Sequence, residues 1–264
     1  MENIQTVGNL LRNWRERRRK SQLELALDAE ISTRHLSFVE TGRAKPSREM
    51  ILLLAENLQI PLRERNKILI SGGYAPIFSE KNLEDVSLNA VKTAIDLILQ
   101  GHEPFPALAV DRHWNMVAAN KIVPILLEEV SPKLLENPIN VLRLSLHPEG
   151  LAPKIVNFQQ WRNYILKRLR KQADDSADEG LEKLFDELSG YKFNGKRNEN
   201  VANSHHEIIV PLQIESKFGV LSFISTVTVF GTPIDVTVSE IALETFFPAD
   251  EKTREIFYKL ANRD

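Results

Sequence analysis

The sequence predicts an α+β protein whose N-terminal part is all helical and whose remainder mixes helices with strands. In residues 1–75, apolar residues recur at intervals of three and four, the period of an amphipathic helix. After residue 104, short β-branched stretches alternate with helical segments. The two parts also differ in charge, because residues 1–75 carry a net charge of +4 and the rest carries −6. These observations predict two domains within the 264 residues.

Five short helices are predicted in the first seventy residues. The first places Leu10, Leu11 and Trp14 on one face. Each later helix begins at a residue that commonly caps or opens a helix. These starts are Ser21 (with Glu24 completing a capping box), Ser32, Pro46-Ser47 and Pro61. Gly42 and Gly72-Gly73 are placed to end the third and fifth helices.

The residue pattern after residue 72 predicts a linker, then a connecting helix and then the mixed domain. Residues 72–85 form the linker, and residues 85–100 form an amphipathic helix that is a candidate for the dimer contact. Strands are predicted at 107–110, 116–119, 207–214, 221–230 and 234–239. Helices are predicted at 158–172, 178–188 and 253–260, and a polar loop at 194–204. The strand at 234–239 depends on the alternation of Ile234, Val236 and Val238 with polar residues.

Composition excludes several classes of protein. The chain has no cysteine, so it has neither a disulfide framework nor a thiol nucleophile. The longest apolar run, Met50 to Ala55, has six residues, far too few for a transmembrane helix. The N-terminus is polar and then basic, without the apolar core of a signal peptide. We therefore expect a cytoplasmic protein that does not associate with membranes.

Residues 22–40 have the spacing of a helix-turn-helix. This motif requires a small residue where its helices cross, a tight turn, and two apolar residues that seat the second helix. Ala26 occupies the crossing, Glu30 occupies the turn, and Leu36 and Val39 occupy the seat. The turn position favours glycine because its backbone is left-handed. Glutamate there costs about 1 kcal/mol, which the motif can tolerate.

The outer face of the second helix predicts a surface that contacts DNA. At about 100° per residue, Leu36 and Val39 point inward and the intervening side chains point outward. In this motif the N-terminal residues of the second helix meet base edges in the major groove. Arg34 is a candidate reader of guanine, and Phe38 a candidate contact to a thymine methyl group. The other predicted DNA-binding residues are Gln22, Ser32, Thr33, His35 and Ser37, with Arg12, Arg43, Lys45 and Arg48 predicted at phosphates.

Longer strings of residues in both parts of the chain resemble those of known protein families. The N-terminal part contains SQLELA at 21–26, RHLSFVETGR at 34–43 and PSREM at 46–50. It resembles the XRE/Cro-type DNA-binding domain, which implies a five-helix lambda-repressor-like fold. The second part contains AVDRHWN at 109–115, AAN at 118–120, NVLRLSLHPEG at 140–150, TVFGTP at 228–233 and FFPAD at 246–250. It resembles the ligand-binding domain of MmyB-like regulators, which implies a PAS-like α+β fold.

The resemblance implies a sequence-specific transcriptional regulator with a ligand-sensing domain. Members of the family are thought to take fatty-acid-like or other small apolar ligands. Among polar residues in apolar stretches, Arg143, His147 and Arg162 are candidate ligand contacts. For Arg143 a structural salt bridge, with Glu149 or Asp111, is the favoured alternative. Phe223, Val227 and Phe230 are candidate apolar contacts, for which simple filling of the core is favoured.

No catalytic or metal-binding motif stands out in the sequence. His205-His206-Glu207 lacks the spacing of a helical zinc site and precedes a predicted strand. The chain contains no nucleophile elbow, phosphate-binding glycine loop or dinucleotide fingerprint. We therefore expect no enzymatic activity, no metal and no cofactor. An enzyme in the second part stays open as an alternative, as does a helical head that binds a protein partner.

These inferences combine into one organisation. Residues 1–73 are predicted to form the DNA-binding domain, 74–103 the linker and connecting helix, and 104–264 the ligand-binding domain. One DNA-binding module buries a small interface, so we expect a homodimer on a palindromic operator in double-stranded DNA. The acidic character of the second part is consistent with a sensor that does not itself bind DNA.

Overall fold

The computed structural model describes residues 5–192, 209–231 and 233–261. It divides into two compact units. The first contains the described residues up to Asn82 together with 174–176 and 233–239, and the second contains the remainder. Residues 74–82 thus lie with the first unit, and residues 83–103 with the second.

Five helices form most of the first unit, as the sequence predicts. They are α1 (Val7–Arg17), α2 (Gln22–Asp28), α3 (Thr33–Glu40), α4 (Arg48–Asn57) and α5 (Leu62–Ser71). The capping box is confirmed: Ser21 Oγ accepts the Glu24 N–H at 3.2 Å, and the Glu24 carboxylate accepts the Ser21 N–H at 2.7 Å. At the starts of α3 and α4, the hydroxyl groups of Ser32 and Ser47 accept hydrogen bonds from the N–H groups of His35 and Met50. These local hydrogen bonds satisfy amide groups that would otherwise lack partners at the helix starts.

In each of the five helices, the second residue after the last helical residue has a left-handed backbone. These residues are Arg19, Glu30, Gly42, Gln59 and Gly73, with φ between 49° and 83°. At the end of α2, Glu30 N–H donates to Leu27 O and Ile31 N–H donates to Ala26 O. This pair of bonds is a Schellman motif, which ends the helix and directs the chain into α3. The left-handed turn predicted at Glu30 is therefore confirmed, with φ of 53°.

The second unit is built on a five-stranded antiparallel sheet. Its strands are β1 (Ala107–Val110), β2 (Met116–Ala119), β3 (Leu212–Ser216), β4 (Gly219–Val229) and β5 (Ala242–Pro248), in the order β2-β1-β5-β4-β3. The helices that follow α5 are α6 (Asn89–Gly101), α7 (Val123–Leu126), α8 (Val141–Leu146), α9 (Phe158–Ser176), α10 (Glu179–Gly190), α11 (Val236–Ser239) and α12 (Glu251–Ala261). Of these, α11 lies in the first unit.

The sheet separates two apolar clusters because side chains alternate between its faces. Ala109 and Leu243 pack with Ile95 and Leu99 of α6 on one face. The other face carries the larger cluster, in which strand residues such as Leu108 and Phe223 pack with α8, α9 and α10. An α+β fold class is therefore confirmed, with β1 and β2 at the predicted positions.

The predicted strand at 234–239 is wrong. Val236–Ser239 forms the single helical turn α11, and the last strand is β5, which the sequence analysis did not identify. The side chain of Asp235 accepts hydrogen bonds from the N–H groups of Thr237 and Val238. An aspartate in this position stabilises a turn, and it outweighs the alternation of β-branched residues. The predicted loop at 194–204 lies outside the described residues.

The substitution Glu30→Gly should stabilise the helix-turn-helix. Glycine removes a left-handed penalty of about 1 kcal/mol, part of which is offset by the greater entropy of the unfolded chain. We expect a rise of up to about 1 kcal/mol in the free energy of unfolding, measured by chemical denaturation of the full chain. In the control Glu56→Gly, in the last turn of α4 where the backbone is helical, glycine should lower stability by up to about 0.5–1 kcal/mol. Equal destabilisation by both substitutions would contradict this interpretation.

Candidate DNA-binding surface and ligand cavity

The helix-turn-helix packs as its spacing predicts. Ala26 is buried on α2, and Leu36 and Val39 on α3 are completely buried. The small side chain of Ala26 lets the two helices approach each other, and the two apolar residues fix α3 against the domain. The opposite face of α3 is left exposed or half-buried, and it includes Arg34 and Phe38.

A buried ion pair fixes both ends of the motif. Arg15 of α1 donates from Nε and Nη2 to Glu40 at the end of α3, at 2.7 and 2.9 Å. Arg15 Nη1 also donates to Lys20 O, and Gln22 Nε2 donates to Glu40 Oε2 at 2.8 Å. The hydrogen bond with Glu40 raises the pKa of Arg15. This network joins α1, the start of α2 and the end of α3.

Arg34, Phe38 and Arg43 form a stacked cluster on the exposed side of the motif. The guanidinium carbon of Arg34 lies 5.4 Å from the centre of the Phe38 ring, and that of Arg43 lies 5.9 Å from it. Stacking restricts both side chains while their N–H groups stay available for hydrogen bonds. The cluster therefore presents two cations next to an apolar ring.

The predicted DNA-binding residues other than Phe38 fall into three groups. In the described part of the chain, Arg34, Arg43, Lys45 and Arg48 are exposed and take part in none of the ion pairs. Three others already have partners within the domain: Arg12 pairs with Glu16, Gln22 binds Glu40, and Ser32 caps α3. The remaining three, Thr33, His35 and Ser37, lie half-buried on the flanks of α3.

An apolar cavity of about 80 Å³ lies inside the second unit. All five strands and the helices α7, α8 and α9 contribute to its wall. Typical wall residues are Leu108, Met116, Leu144, Trp161, Ile165 and Phe223. Only two of the lining residues, Ser145 and Glu244, carry polar side chains. Small-molecule sites commonly combine an apolar wall with a few polar groups in this way.

Glu244 is the buried charged group of this cavity. It lies on β5, opposite Leu108 and Val227 in the neighbouring strands, and its residue is 5% exposed. Arg168 of α9 donates from Nη1 to Glu244 Oε1 at 3.1 Å. The guanidinium of Arg168 stacks over Trp114 with its carbon 4.1 Å from the ring centre. Burial raises the pKa of Glu244, although the charge and hydrogen bond of Arg168 act against that shift.

Of the six candidate ligand residues, Phe223 lines the cavity. The others lie elsewhere. Val227 is 43% exposed, and Phe230 packs against the cluster on the opposite face of the sheet. The three polar residues have partners outside the cavity: Arg143 binds both oxygens of Glu187, Arg162 donates to Ser189 O, and His147 Nδ1 accepts the Glu149 N–H. Arg143 is thus in a salt bridge, but with Glu187 instead of Glu149 or Asp111.

Arg168 and Glu244 are not among the residues predicted from the sequence, although both leave a signal in it. Arg168 follows Trp161 by seven residues and Ile165 by three, so it lies on the apolar face of α9. Glu244 is the one charged residue within β5. A charged residue in each of two otherwise apolar surfaces is expected to be paired. Nothing local, however, indicates that these two residues pair with each other.

The described residues contain neither a metal cluster nor a candidate transmembrane segment. No group of three or more His, Asp or Glu side chains in that part of the chain is arranged to hold a metal ion. The segment His205-His206-Glu207 lies outside it. Among the same residues, no helix has the length and apolar character needed to cross a membrane.

The raised pKa of Glu244 predicts a pH dependence of stability. A carboxyl group with a raised pKa in the folded state binds protons more readily there than in the unfolded chain. The contribution of Glu244 to folding stability is therefore more favourable at low pH and is lost as pH rises. We expect the free energy of unfolding of the protein, relative to the variant Glu244→Gln, to fall as pH rises above the ordinary pKa of a glutamic acid, about 4.5.

Chemical denaturation of both proteins over this rise in pH measures the difference. Ser145→Ala is the control, because it alters the same cavity without removing a titratable group. Its stability relative to the unsubstituted protein should not change with pH. If the free energy of unfolding of the protein relative to Glu244→Gln instead rises with pH, the raised pKa is contradicted.

Two family models match the chain. The model of the helix-turn-helix matches residues 11–65, and that of the MmyB-like transcription regulator ligand binding domain matches residues 91–260. A search of curated proteins finds no match. The first model covers the motif whose packing is described above, and the second covers the sheet and the cavity. The chain therefore belongs to the MmyB-like transcription regulators, with an XRE-type helix-turn-helix followed by a ligand-binding domain.

Proposed function

We propose that this regulator binds a palindromic operator as a homodimer through the exposed face of α3, and that a small apolar molecule in the cavity alters its affinity for DNA. The observation that carries the first half is the cluster of Arg34, Phe38 and Arg43, whose two arginines are exposed and have no acidic partner in the described part of the chain. The observation that carries the second half is the apolar cavity of the other unit.

The exposed cluster supplies the groups needed to read a base pair. Arg34 can donate two hydrogen bonds to O6 and N7 of guanine, and the edge of Phe38 can contact a thymine methyl group. Because Phe38 stacks against Arg34, their contacts favour adjacent bases. Thr33, His35 and Ser37 flank these positions on the same helix.

The cations beside the cluster are suited to phosphate contacts. Arg43, Lys45 and Arg48 follow α3 directly and have no ion-pair partner in the described residues. Each phosphate contact releases condensed counterions, which gives DNA affinity its salt dependence. Arg12 and Gln22 must exchange or share their internal partners to contact DNA. We therefore propose a smaller role for them than for the three unpaired cations.

A ligand can act on DNA binding only if it binds two states of the protein with different affinities. In the proposed mechanism, occupation of the cavity shifts the balance between states of the dimer that fit the operator differently. The cavity wall is apolar, so the proposed ligand is a small apolar molecule. A fatty acid is the member of this class that the family resemblance suggests.

Arg34→Ala should weaken operator binding and remove the preference for one base. A lost bidentate contact costs about 1–3 kcal/mol, and the preference at that position should relax. The measurement is a binding assay of the full chain on the DNA upstream of its own gene, with each base pair of the site varied. Arg48→Ala is the matched control, which should weaken all sequences equally and reduce the slope of affinity against salt by about one.

Unchanged affinity and unchanged base preference in Arg34→Ala would contradict the reader role. A salt titration of the unsubstituted protein tests the competing interpretation, in which the helical head binds a protein. Affinity for duplex DNA should fall steeply from low to moderate salt if the cations neutralise phosphates. A flat dependence would favour the protein partner.

Ligand binding in the cavity should change operator affinity. Native mass spectrometry of the purified full chain should detect a bound small molecule, and its removal should change the affinity for the operator. In the variant Val123→Phe the added ring occupies the cavity, so operator binding should persist while the response to the ligand is lost. An operator affinity that never depends on the extracted molecule would contradict the sensing function.

A further inference from the structure

The polar side of the cavity consists of one buried carboxyl group and one hydroxyl group. Glu244 lines the cavity from the centre of the sheet, and Ser145 lines it from α8. Ser145 Oγ accepts a hydrogen bond from Trp161 Nε1 at 2.8 Å. Arg168 is not itself a lining residue, so it influences the cavity through its hydrogen bond to Glu244. A ligand that enters the cavity therefore meets the carboxyl group of Glu244 and not the guanidinium group.

The ion pair of Glu244 and Arg168 is incompletely satisfied. Arg168 donates to a single oxygen of Glu244, and Arg168 Nη2 is buried without a hydrogen-bond partner in the described part of the chain. A carboxylate has about four sites that can accept hydrogen bonds. In the described part of the chain, Glu244 accepts only the bond from Arg168 Nη1, and its other acceptor sites are unused. Glu244 therefore has capacity to accept a hydrogen bond from a molecule in the cavity.

The charges of the pair restrict which ligand is suitable. The carboxylate of Glu244 and the guanidinium of Arg168 balance each other, and an apolar wall surrounds them. An anionic or a cationic ligand would add a second, uncompensated charge to this interior, which is costly. A neutral group that donates a hydrogen bond adds no charge and uses the free acceptor capacity of Glu244.

The volume limits the size of the ligand. An apolar cavity of about 150 Å³ binds benzene, so 80 Å³ holds only a few non-hydrogen atoms without movement of the wall. A short aliphatic chain of four carbons with one polar atom is near this limit. A long acyl chain would require the helices that line the cavity to move away from the sheet.

We propose that the cavity selects a small aliphatic molecule with a neutral hydroxyl group, whose O–H donates to Glu244 while the chain contacts the apolar wall. This inference rests on the proposed sensing function and narrows its ligand class. It assigns Glu244 as the residue that determines specificity, and Arg168 as the residue that positions it. The hydroxyl compound is favoured over the carboxylic acid that the family resemblance suggests.

Three probes of equal chain length test this inference: 1-butanol, methyl propyl ether and butyrate. The ether is an isomer of the alcohol that cannot donate a hydrogen bond, and butyrate carries a negative charge. Binding to the full chain is measured by titration with saturation-transfer NMR, which detects weak ligands. We expect 1-butanol to bind at least about tenfold more tightly than the ether or butyrate, since hydrogen bonds to charged groups contribute the most.

Two variants link the preference to the residues. In Arg168→Leu/Glu244→Leu both charges are removed together, so no unpaired charge is left and the three probes should differ by less than threefold. If this variant does not fold, Glu244→Gln serves instead. Its amide oxygen is a weaker, neutral acceptor, so the preference for the alcohol should decrease without disappearing.

The outcomes separate this inference from the proposed function. Equal binding of the alcohol and the ether, or tighter binding of butyrate with uptake of a proton by Glu244, would overturn the inference and leave the sensing function intact. Binding of none of the probes overturns the inference as well. Only an operator affinity that is insensitive to every bound molecule overturns the sensing function.

Discussion

The position of α3 depends on the buried ion pair between Arg15 and Glu40. Its two charge-assisted bonds join the first and third helices, and the additional bonds to Lys20 O and from Gln22 include the start of the second helix. Loss of one partner from a buried pair leaves an uncompensated charge, which costs about 3–5 kcal/mol. That is a large part of the stability of a small domain. The direction in which Arg34 and Phe38 point is therefore set from the opposite side of α3.

The second unit contains a comparable pair with a different degree of satisfaction. Glu40 accepts from two groups of Arg15 and from Gln22, whereas Arg168 donates to one oxygen of Glu244 and keeps a buried nitrogen unpaired. A fully hydrogen-bonded ion pair holds its helices in one arrangement. An ion pair with unused hydrogen-bonding groups beside a cavity has capacity to bind a ligand. The same two residue types thus join helices in the first unit, whereas in the second unit we propose that they also bind a ligand. The difference lies in their surroundings.

Features encoded over a few residues were predictable from the sequence. The capping box at Ser21, the left-handed turn at Glu30 and the seat formed by Leu36 and Val39 each depend on neighbouring residues. The error at 234–239 has the same origin, because the capping side chain of Asp235 outweighs the alternation. The cavity was not predictable in this way. Arg168 and Glu244 are separated by 76 residues, and only the packing of α9 against β5 brings them together.

The small volume of the cavity bears on how a ligand could act. A molecule that only fills the existing space stabilises one state of the ligand-binding domain, and it shifts the population only if a second state lacks that space. A molecule larger than the cavity must displace its wall, and the displaced wall is itself a second state.

The guanidinium of Arg168 lies between Glu244 and Trp114, and the backbone of Trp114 is left-handed with φ of 66°. Such a conformation is unfavourable for a bulky residue and persists only while its contacts hold it. A ligand that rearranges the hydrogen bonds of Glu244 would alter the support of Arg168 against this ring. In the proposed sensing function, the pair thus links the cavity to the turn between β1 and β2 through the contact of Arg168 with Trp114.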